Sequence, residues 1–351
     1  MLAKFYKKKK ILVTGATGFK GAWLCYWLKS LGAKVYATGN NPNKNKNLFY
    51  GLNLEKKLKL KIFDLRNKKK TEYILSKVKP EIVFHLAAQP LISKSYSHPI
   101  ETYETNVVGT LNILEASRKI NSIKSLICIT SDKCYENNNS TIGFKESDRL
   151  GGKDPYSGSK ACAEIIIKTY YETFFSKLNK GLASARAGNV IGGGDFSENR
   201  LLPDLIKNIN KNKITYIRNP NYNRPWQHVL EPLYGYLLLA KKLNENPKKY
   251  SGPWNFGTER NTVTSVMQIA NYVINFWGKG KLIFKNKKKF YEQENLQLNI
   301  TKSKKILKWR PKYTIKDSVN ITVSWYKNIL NKKMKIEEVT LKQINDYMKK
   351  K

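Results

Sequence analysis

The chain has 351 residues, a formal net charge of +39 and 41% apolar residues. This length is enough for one large domain or two intimate ones with a full core. The apolar runs are too short to span a membrane, and the basic N-terminus lacks the features of a signal peptide. We therefore expect a cytoplasmic protein without a membrane partner. The four cysteines lack metal-ligand spacing, so we expect free thiols and no metal site.

The strong positive charge raises the possibility of nucleic-acid binding. Lysine runs, however, are scattered along the chain, at 7–10, 43–47, 68–70 and 286–290. They do not form one stripe, and aromatic residues do not alternate with them as in a stacking platform. We expect solvated lysine-rich surfaces and no nucleic-acid partner.

A glycine-rich turn near the N-terminus is the first functional motif. The apolar run 11–13 leads into Gly15, Gly18 and Gly21, and apolar residues at helical spacing follow from 23 to 31. Strand, glycine turn and helix form the context of a dinucleotide-binding fingerprint, with the pyrophosphate at the helix N-terminus. The spacing GxxGxxG fits that fingerprint only loosely, and a glycine turn without a ligand is the alternative.

Strands and helices alternate through the first half of the chain, which favours an α/β fold with a doubly wound parallel sheet. The predicted strands are 11–13, 34–38, 58–63, 81–85, 125–130 and 182–186, and the main predicted helices are 103–120 and one that begins near 155 and runs towards 175. The alternation breaks down afterwards. We predict a Rossmann domain at 1–185, an interleaved substrate lobe at 186–331, and a lysine-rich helical tail at 332–351.

The sequence leaves the choice between NAD and NADP open. The second strand is followed by Gly39 and Asn40, with neither the acidic residue that would hold a ribose nor an arginine for a 2′-phosphate. Asp64, after the third strand, could accept from the adenine amino group or could simply cap a turn.

Tyr156 and Lys160 lie one turn apart on a predicted helix and therefore share a face. A nearby lysine cation favours tyrosinate and so lowers a tyrosine pKa that is otherwise near ~10. Such a pair can take a hydroxyl proton while hydride leaves the adjoining carbon. Ser131 follows the fifth strand, at the sheet edge where α/β proteins bind ligands. An exposed Tyr–Lys pair remains the alternative for these two residues alone.

Several stretches together resemble the extended short-chain dehydrogenase/reductase family, in its nucleotide-sugar epimerase/dehydratase branch. They are TGATGFKG at 14–21, HLAAQP at 85–90, ETNVVGT at 104–110, TSDKCY at 130–135 and DPYSGSK at 154–160. LGGKDPYSGSK at 150–160, RAGNVIGGGDF at 186–196 and RNPNYNRPWQHVLEPLYGYL at 218–237 are most similar to the dehydratases that act on CDP-glucose. The resemblance covers most of the chain, excluding the tail.

The resemblance implies a Rossmann fold, tightly bound NAD that is regenerated in each turnover, and conversion of CDP-glucose to a 4-keto-6-deoxy sugar. It implies that Tyr156 is the base at the C4 hydroxyl, that Lys160 lowers the Tyr156 pKa, and that Ser131 binds the C4 oxygen. Asp132 would protonate the departing C6 hydroxyl. The implied cofactor contacts, besides Tyr156 and Lys160, are Gly15, Thr17, Gly18, Phe19, Lys20, Gly21, Asp64, Leu65, Leu86, Ala87, Ala88, Gln89 and Asn106.

Lys133 departs from the pattern of the dTDP-sugar and GDP-sugar dehydratases, which resemble this chain but have Glu as the C5 base at that position. The CDP-glucose group resembles this sequence in having lysine there. A lysine serves as a base only when neutral, and a charged lysine would instead stabilise the enolate. We expect a direct catalytic role, with a structural salt bridge as the alternative.

The resemblance also implies substrate contacts, a homodimer built on a four-helix bundle, and a role in surface glycans such as the lipopolysaccharide O-antigen. The candidate substrate residues are Asn189, Arg200, Arg224 and His228. Arginine suits a diphosphate because its guanidinium binds phosphate through two donors. A 4-epimerase, a dehydratase for another nucleotide sugar and a non-catalytic relative that binds RNA or protein are the alternatives.

Overall fold

The computed structural model describes residues 2–40, 47–137, 143–198, 200–259, 262, 264–285 and 296–350. The lysine run at 286–290 and most of that at 43–47 lie outside these residues. The strands are β1 Lys10–Thr14, β2 Lys34–Gly39, β3 Lys59–Ile62, β4 Ile82–His85, β5 Ser125–Ile129, β6 Gly181–Ala187, β7 Val190–Ile191, β8 Thr215–Arg218, β9 Asn223–Arg224, β10 Gln227–His228, β11 Gly252–Phe256, β12 Thr264–Ser265 and β13 Leu282–Lys285.

The helices are α1 Leu2–Tyr6, α2 Phe19–Ser30, α3 Leu48–Gly51, α4 Leu54–Lys57, α5 Lys68–Val78, α6 Ile92–Ser97, α7 Pro99–Tyr103, α8 Gly109–Lys119, α9 Pro155–Tyr170, α10 Leu201–Asn210, α11 Leu230–Glu245, α12 Pro247–Tyr250, α13 Val266–Trp277, α14 Ile315–Leu330 and α15 Ile336–Lys349. The helix predicted at 103–120 is thus two α-helices joined by a π-helical turn, Glu104–Val108.

A seven-stranded sheet forms the centre of the molecule, in the order β11-β6-β5-β4-β1-β2-β3. Every neighbouring pair is parallel. The central strands β4, β5 and β6 are buried along their whole length, as expected for strands covered by helices on both faces. The predicted doubly wound α/β fold is confirmed.

Two apolar clusters cover the two faces of the sheet. One is built on α2, α11 and α15, and Trp23 and Trp27 are among its fully buried members. The other is formed by α5, α8 and α9. These layers hold the carboxyl ends of the strands at one edge, where the side chains after β1, β4 and β5 converge.

A third apolar cluster belongs to the second lobe, where α10, α13 and α14 pack together. The chain leaves the sheet after β6 and returns as β11, which pairs in parallel with β6. The sequence analysis did not identify this strand, because only its pairing with β6 distinguishes it from the irregular segments around it.

The lysine-rich C-terminal segment is helical and packs against the sheet layer. The indole of Trp27 lies edge-on to the ring of Tyr347, with centroids 5.9 Å apart. The Tyr347 hydroxyl donates to Glu231 Oε2 at 2.7 Å, and the Trp325 indole N–H donates to Thr340 at 3.0 Å. α15 is therefore part of the core, and its lysines lie on its outer side.

Candidate active site

A cleft of about 1050 Å³ opens at the carboxyl ends of the strands, between the sheet and the second lobe. Its floor is formed by the glycine turn and by the segments after β4 and β5, and its far wall comes from the segment 187–204 and from β8 and β9. This is the edge where open α/β sheets bind their ligands.

The glycine turn is shaped for close backbone contact. Gly15 has φ +67°, and a Cβ there would lie 2.6 Å from the amide nitrogen of Ala87. A Cβ on Gly21 would lie 2.1 Å from the carbonyl oxygen of Gly15, so α2 can begin this close to β1 only with glycine at both positions.

The start of α2 fits an anionic group. Its N-cap, Gly18, provides no side-chain cap, and its first turn carries no acidic residue. The free N–H groups and the partial positive charge of this helix end suit a pyrophosphate. Lys20 lies in this first turn and lines the cleft. The residues of the turn therefore fit a dinucleotide.

Asp64 and Leu65, which follow β3, line the cleft. The Asp64 carboxylate accepts from Arg66 Nη2 at 2.6 Å, and Arg66 Nη1 donates to Glu104 at 2.8 Å. Hydrogen bonds from Arg66 lower the pKa of Asp64. The sequence analysis missed Arg66, since nothing in its local sequence signals a partner 38 residues away.

Two implied cofactor residues, Gln89 and Asn106, lie behind the cleft wall, whereas Leu86, Ala87 and Ala88 line the cleft itself. Asn106 Oδ1 accepts from the Gln89 backbone N–H at 2.8 Å, and Asn106 Nδ2 donates to the Ser159 hydroxyl at 2.9 Å. Their positions show that Gln89 and Asn106 fix the loop after β4 against α9.

Ser131, Asp132 and Lys133 line the cleft directly after β5. The Ser131 hydroxyl donates to Asp132 Oδ1 at 3.0 Å and accepts from the Lys133 backbone N–H at 3.2 Å. Asp132 is 3% exposed, and its Oδ2 has no hydrogen-bond partner among the described residues. Burial raises the pKa of Asp132, against the opposing charges of Lys133, Lys20 and Arg224. This carboxyl group therefore holds its proton more readily than a carboxyl group in water.

Tyr156 and Lys160 project from the first two turns of α9 into the same part of the cleft. Asp154 caps the helix by accepting from the Ser157 backbone N–H at 2.9 Å, and Pro155 follows at the first helical position. Burial raises the pKa of Tyr156 to about 12, against a hydrogen bond with Ser131. Burial also lowers the pKa of Lys160 to about 8. In the protein alone the pKa of Tyr156 thus moves opposite to the predicted direction, because desolvation outweighs the Ser131 hydrogen bond and the Arg200 charge.

A buried ion pair supports this cluster from below. Glu164, one turn beyond Lys160, accepts from Arg186 Nη2 and from the Ser184 hydroxyl, both at 2.7 Å. Arg186 also donates to the Tyr135 hydroxyl at 2.7 Å. Burial alone would raise the pKa of Glu164, but the Arg186 charge and these hydrogen bonds hold it below its usual value. The sequence analysis missed the pair, although Glu164 continues the spacing 156, 160, 164.

Three of the four candidate substrate residues reach the cleft: Asn189, Arg200 and Arg224. Arg200 Nη1 contacts Asp195 Oδ2 at 3.1 Å, and the Arg224 guanidinium lies 5.3 Å from the centre of the Tyr222 ring. The structure does not bring His228 to the cleft. Its side chain is fully buried edge-on to Trp23 and Tyr313, and burial lowers its pKa to about 3.

The cleft also contains residues that the sequence analysis did not single out as ligands. They include Asn40, Asn47, Tyr216, Tyr222 and Trp226. Within the described part of the chain, no group of histidine, cysteine or acidic side chains is arranged to hold a metal ion. None of the helices described above is long and apolar enough to cross a membrane.

Comparison with known proteins assigns the chain to a family. Residues 12–322 match the family described as GDP-mannose 4,6 dehydratase. The chain belongs to this family. A CDP-glucose 4,6-dehydratase of Salmonella typhimurium is 40% identical to it over 351 residues, covering 98% of this chain and 97% of the relative. The resemblance to nucleotide-sugar epimerases and dehydratases is therefore confirmed.

Solved structures of this fold extend over almost the whole chain. A dTDP-glucose 4,6-dehydratase from Bacillus anthracis, crystallised with NAD, has a TM-score of 0.75 and 25% identity, covering 91% of this chain and 96% of its own. A UDP-glucose 4-epimerase from Thermotoga maritima, crystallised with UDP-glucose, has a TM-score of 0.79 and 23% identity, covering 91% and 99%. The second likeness shows the fold alone.

Proposed function

We propose that the protein is an NAD-dependent CDP-glucose 4,6-dehydratase that converts CDP-glucose to CDP-4-dehydro-6-deoxy-glucose and water. The observation that carries this proposal is the Asp132 carboxyl group beside Ser131 and Tyr156. It is buried, has a free oxygen and lies in the cleft. A dehydratase needs an acid for the departing hydroxyl, whereas an epimerase does not. The assignment of cytidine is supported by the 40% identical relative.

NAD held at the glycine turn would accept the C4 hydride, and its reduced form would return a hydride to C6. Tyr156 takes the proton of the C4 hydroxyl, and Ser131, which hydrogen-bonds with Tyr156, holds the C4 oxygen. Lys160 stabilises the tyrosinate as the proton leaves, together with the positive charge of the oxidised nicotinamide. The segment after β4 and the glycine turn form the floor of the cleft beside these residues.

Elimination then requires one proton removed at C5 and one delivered at C6. Asp132 delivers the C6 proton, because it lies in the cleft with one oxygen that has no partner among the described residues, and burial raises its pKa above the ordinary value. Lys133, the next residue in the cleft, acts at C5. Two actions fit a lysine there: a neutral amine removes the C5 proton, and a charged one stabilises the enolate.

Arg200 and Arg224 bind the diphosphate of the nucleotide sugar, with Asn189 beside them. Both arginines belong to the second lobe and line the cleft. Their positions support binding of the nucleotide on the lobe, with the hexose over the strand ends.

Mass spectrometry of the purified protein with CDP-, UDP-, dTDP- and GDP-hexoses tests the proposal. We expect that only CDP-glucose is converted, to a product that is lighter by one water. Loss of water from another nucleotide sugar would confirm a dehydratase and overturn the assignment of cytidine as the nucleobase. An unchanged mass with inverted C4 stereochemistry would identify a 4-epimerase. No reaction by a protein that retains RNA at low salt would favour the non-catalytic alternative.

We also propose a cytoplasmic homodimer. Apolar side chains lie exposed on the helices that include α7 and α9: Ile100 is 74% exposed and Ile165 is 53% exposed, with Tyr103 and Val108 nearby in sequence. A second copy would cover these residues in a four-helix bundle. Sedimentation should give a dimer for the wild type and a monomer for Ile165→Glu; a wild-type monomer would contradict the proposal. All four cysteines are free, as in a reducing compartment.

A further inference from the structure

Lys20 occupies an unusual place for a charged side chain. It lies in the first turn of α2, directly after the glycine turn, and its half-buried side chain faces the cleft. The described residues form no salt bridge with it. A lysine at the end of a helix that already attracts anions is therefore left available for a ligand.

The charged groups around Lys20 come from three separate elements. Asp132 follows β5, Lys160 lies on α9, and Arg200 precedes α10 on the second lobe. Burial and the Arg200 charge lower the pKa of Lys20 to about 8, Asp132 opposes this change, and Lys160 adds to it. Lys20 therefore lies on the cofactor side of the cleft, in the glycine turn's own helix, and also interacts electrostatically with Arg200 on the substrate side.

We infer that Lys20 contacts the diphosphates of both the dinucleotide and the nucleotide sugar, and so couples the binding of one to the binding of the other. This inference rests on the proposed function, because that function supplies the two anions. Lys20 acts as a binding and positioning residue here, not as a proton donor in the reaction.

The coupling follows from the protonation of one shared group. With a pKa of about 8, the Lys20 ammonium form is about half populated at pH 8 and about one-tenth populated at pH 9. Each diphosphate binds the ammonium form. Binding of the first diphosphate includes the free energy of protonating Lys20. The second diphosphate then binds to a lysine that is already charged. The second anion should therefore bind about twofold more tightly at pH 8 and about tenfold more tightly at pH 9 from this source.

Calorimetric titrations with NAD, with and without saturating CDP, of wild-type protein from which bound NAD has been removed measure this coupling at pH 7, 8 and 9. Lys20→Arg keeps a permanent charge and should bind both ligands, but its coupling should not increase with pH. Lys20→Met should bind both ligands more weakly at pH 7. Lys29→Met, an exposed lysine on the same helix, is the matched control and should behave as the wild type.

A second readout is proton uptake on NAD binding at pH 8, obtained by comparing buffers of different ionisation enthalpy. We expect wild-type protein to take up about half a proton more than Lys20→Arg. Comparing these two proteins cancels the contribution of Lys160, which titrates in the same range.

Equal pH dependence of the coupling in the wild type and Lys20→Arg would overturn the inference while leaving the proposed function intact. Repeating the titration with UDP, dTDP and GDP separates the two proposals further. Tighter binding of another diphosphate would overturn the choice of cytidine, and the coupling would still be measured with that diphosphate. A wild-type protein that does not bind NAD would overturn both.

Discussion

Two buried carboxyl groups, Asp132 and Glu164, lie near the end of β5 and differ in what surrounds them. Glu164 accepts from Arg186 and Ser184, and its pKa is held low. Asp132 has one oxygen bound by Ser131 and one without a partner, and its pKa is raised. The difference shows that burial alone does not assign a role. A carboxylate whose partners are all provided by the fold stabilises the fold, and one left incomplete in a cleft is available for chemistry.

The largest effect should come from Tyr156, which lies in the cleft with Asp132 and on the same helix as Glu164. Tyr156→Phe removes the proton acceptor at C4 and should reduce kcat by about 10³- to 10⁴-fold without loss of bound NAD, which absorbance and mass spectrometry measure. Tyr73→Phe, an exposed tyrosine on α5, is the control. Activity within tenfold of the wild type would mean that another group takes the proton.

Glu164→Gln tests the structural side of the comparison. It leaves the Arg186 guanidinium buried without its counter-charge, and we expect the free energy of unfolding to fall by about 3–5 kcal/mol in denaturant titrations. Glu172 is exposed on the π-helical turn Tyr171–Phe175, which follows α9. Glu172→Gln should change the free energy of unfolding by less than about 0.5 kcal/mol. A similarly small effect at Glu164 would remove the distinction drawn between the two carboxyl groups.

Asp132→Asn tests the proposed role of Asp132 as a proton donor. Asparagine can still accept from Ser131 but cannot deliver a proton, so kcat should fall about 10²-fold with little change in KM or in the free energy of unfolding. The wild-type rate should decline as pH increases through the raised Asp132 pKa, and this decline should be missing in the variant. Loss of stability without loss of rate would place Asp132 in the same class as Glu164.

A third buried carboxyl group, Glu231, sharpens the comparison, because both its oxygens accept hydrogen bonds and yet burial raises its pKa to about 7. The folded state therefore binds a proton that the unfolded state releases near pH 4.5. The resulting stability is fully present below the unfolded pKa and is lost as pH increases through about 7. This loss amounts to about 2.5 kcal/mol between pH 5 and 8.

Denaturant titrations of Glu231→Gln at pH 5 and pH 8 should show a pH dependence smaller by about that amount. Glu245→Gln, at the exposed end of α11, should retain most of the wild-type dependence. An unchanged dependence in Glu231→Gln would show that the hydrogen bonds from Tyr347 and from the backbone of 312 and 313 offset burial completely.

The first half of the fold was predictable because its signals are local. The six predicted strands lie within one or two residues of those observed, since each is a short apolar run that ends at a turn. The main site residues also lie in or next to predicted elements. The glycine turn and Ser131 follow strands, and Tyr156 and Lys160 lie on a helix. Strand β11 and the docking of α15 were not predictable in this way, since both depend on contacts with residues far away in sequence.

The sequence by itself determined the alternation of strands and helices, the glycine turn and the spacing of the Tyr–Lys pair. These follow from hydrophobic periodicity and from residues at most a few turns apart. Only the tertiary structure decided which polar side chains have partners. It buried His228 in the core, placed Asn106 behind the cleft, paired Glu164 with Arg186 and left one oxygen of Asp132 free. Burial and long-range pairing set the charge state of each group, and neither is encoded in its immediate neighbours along the chain.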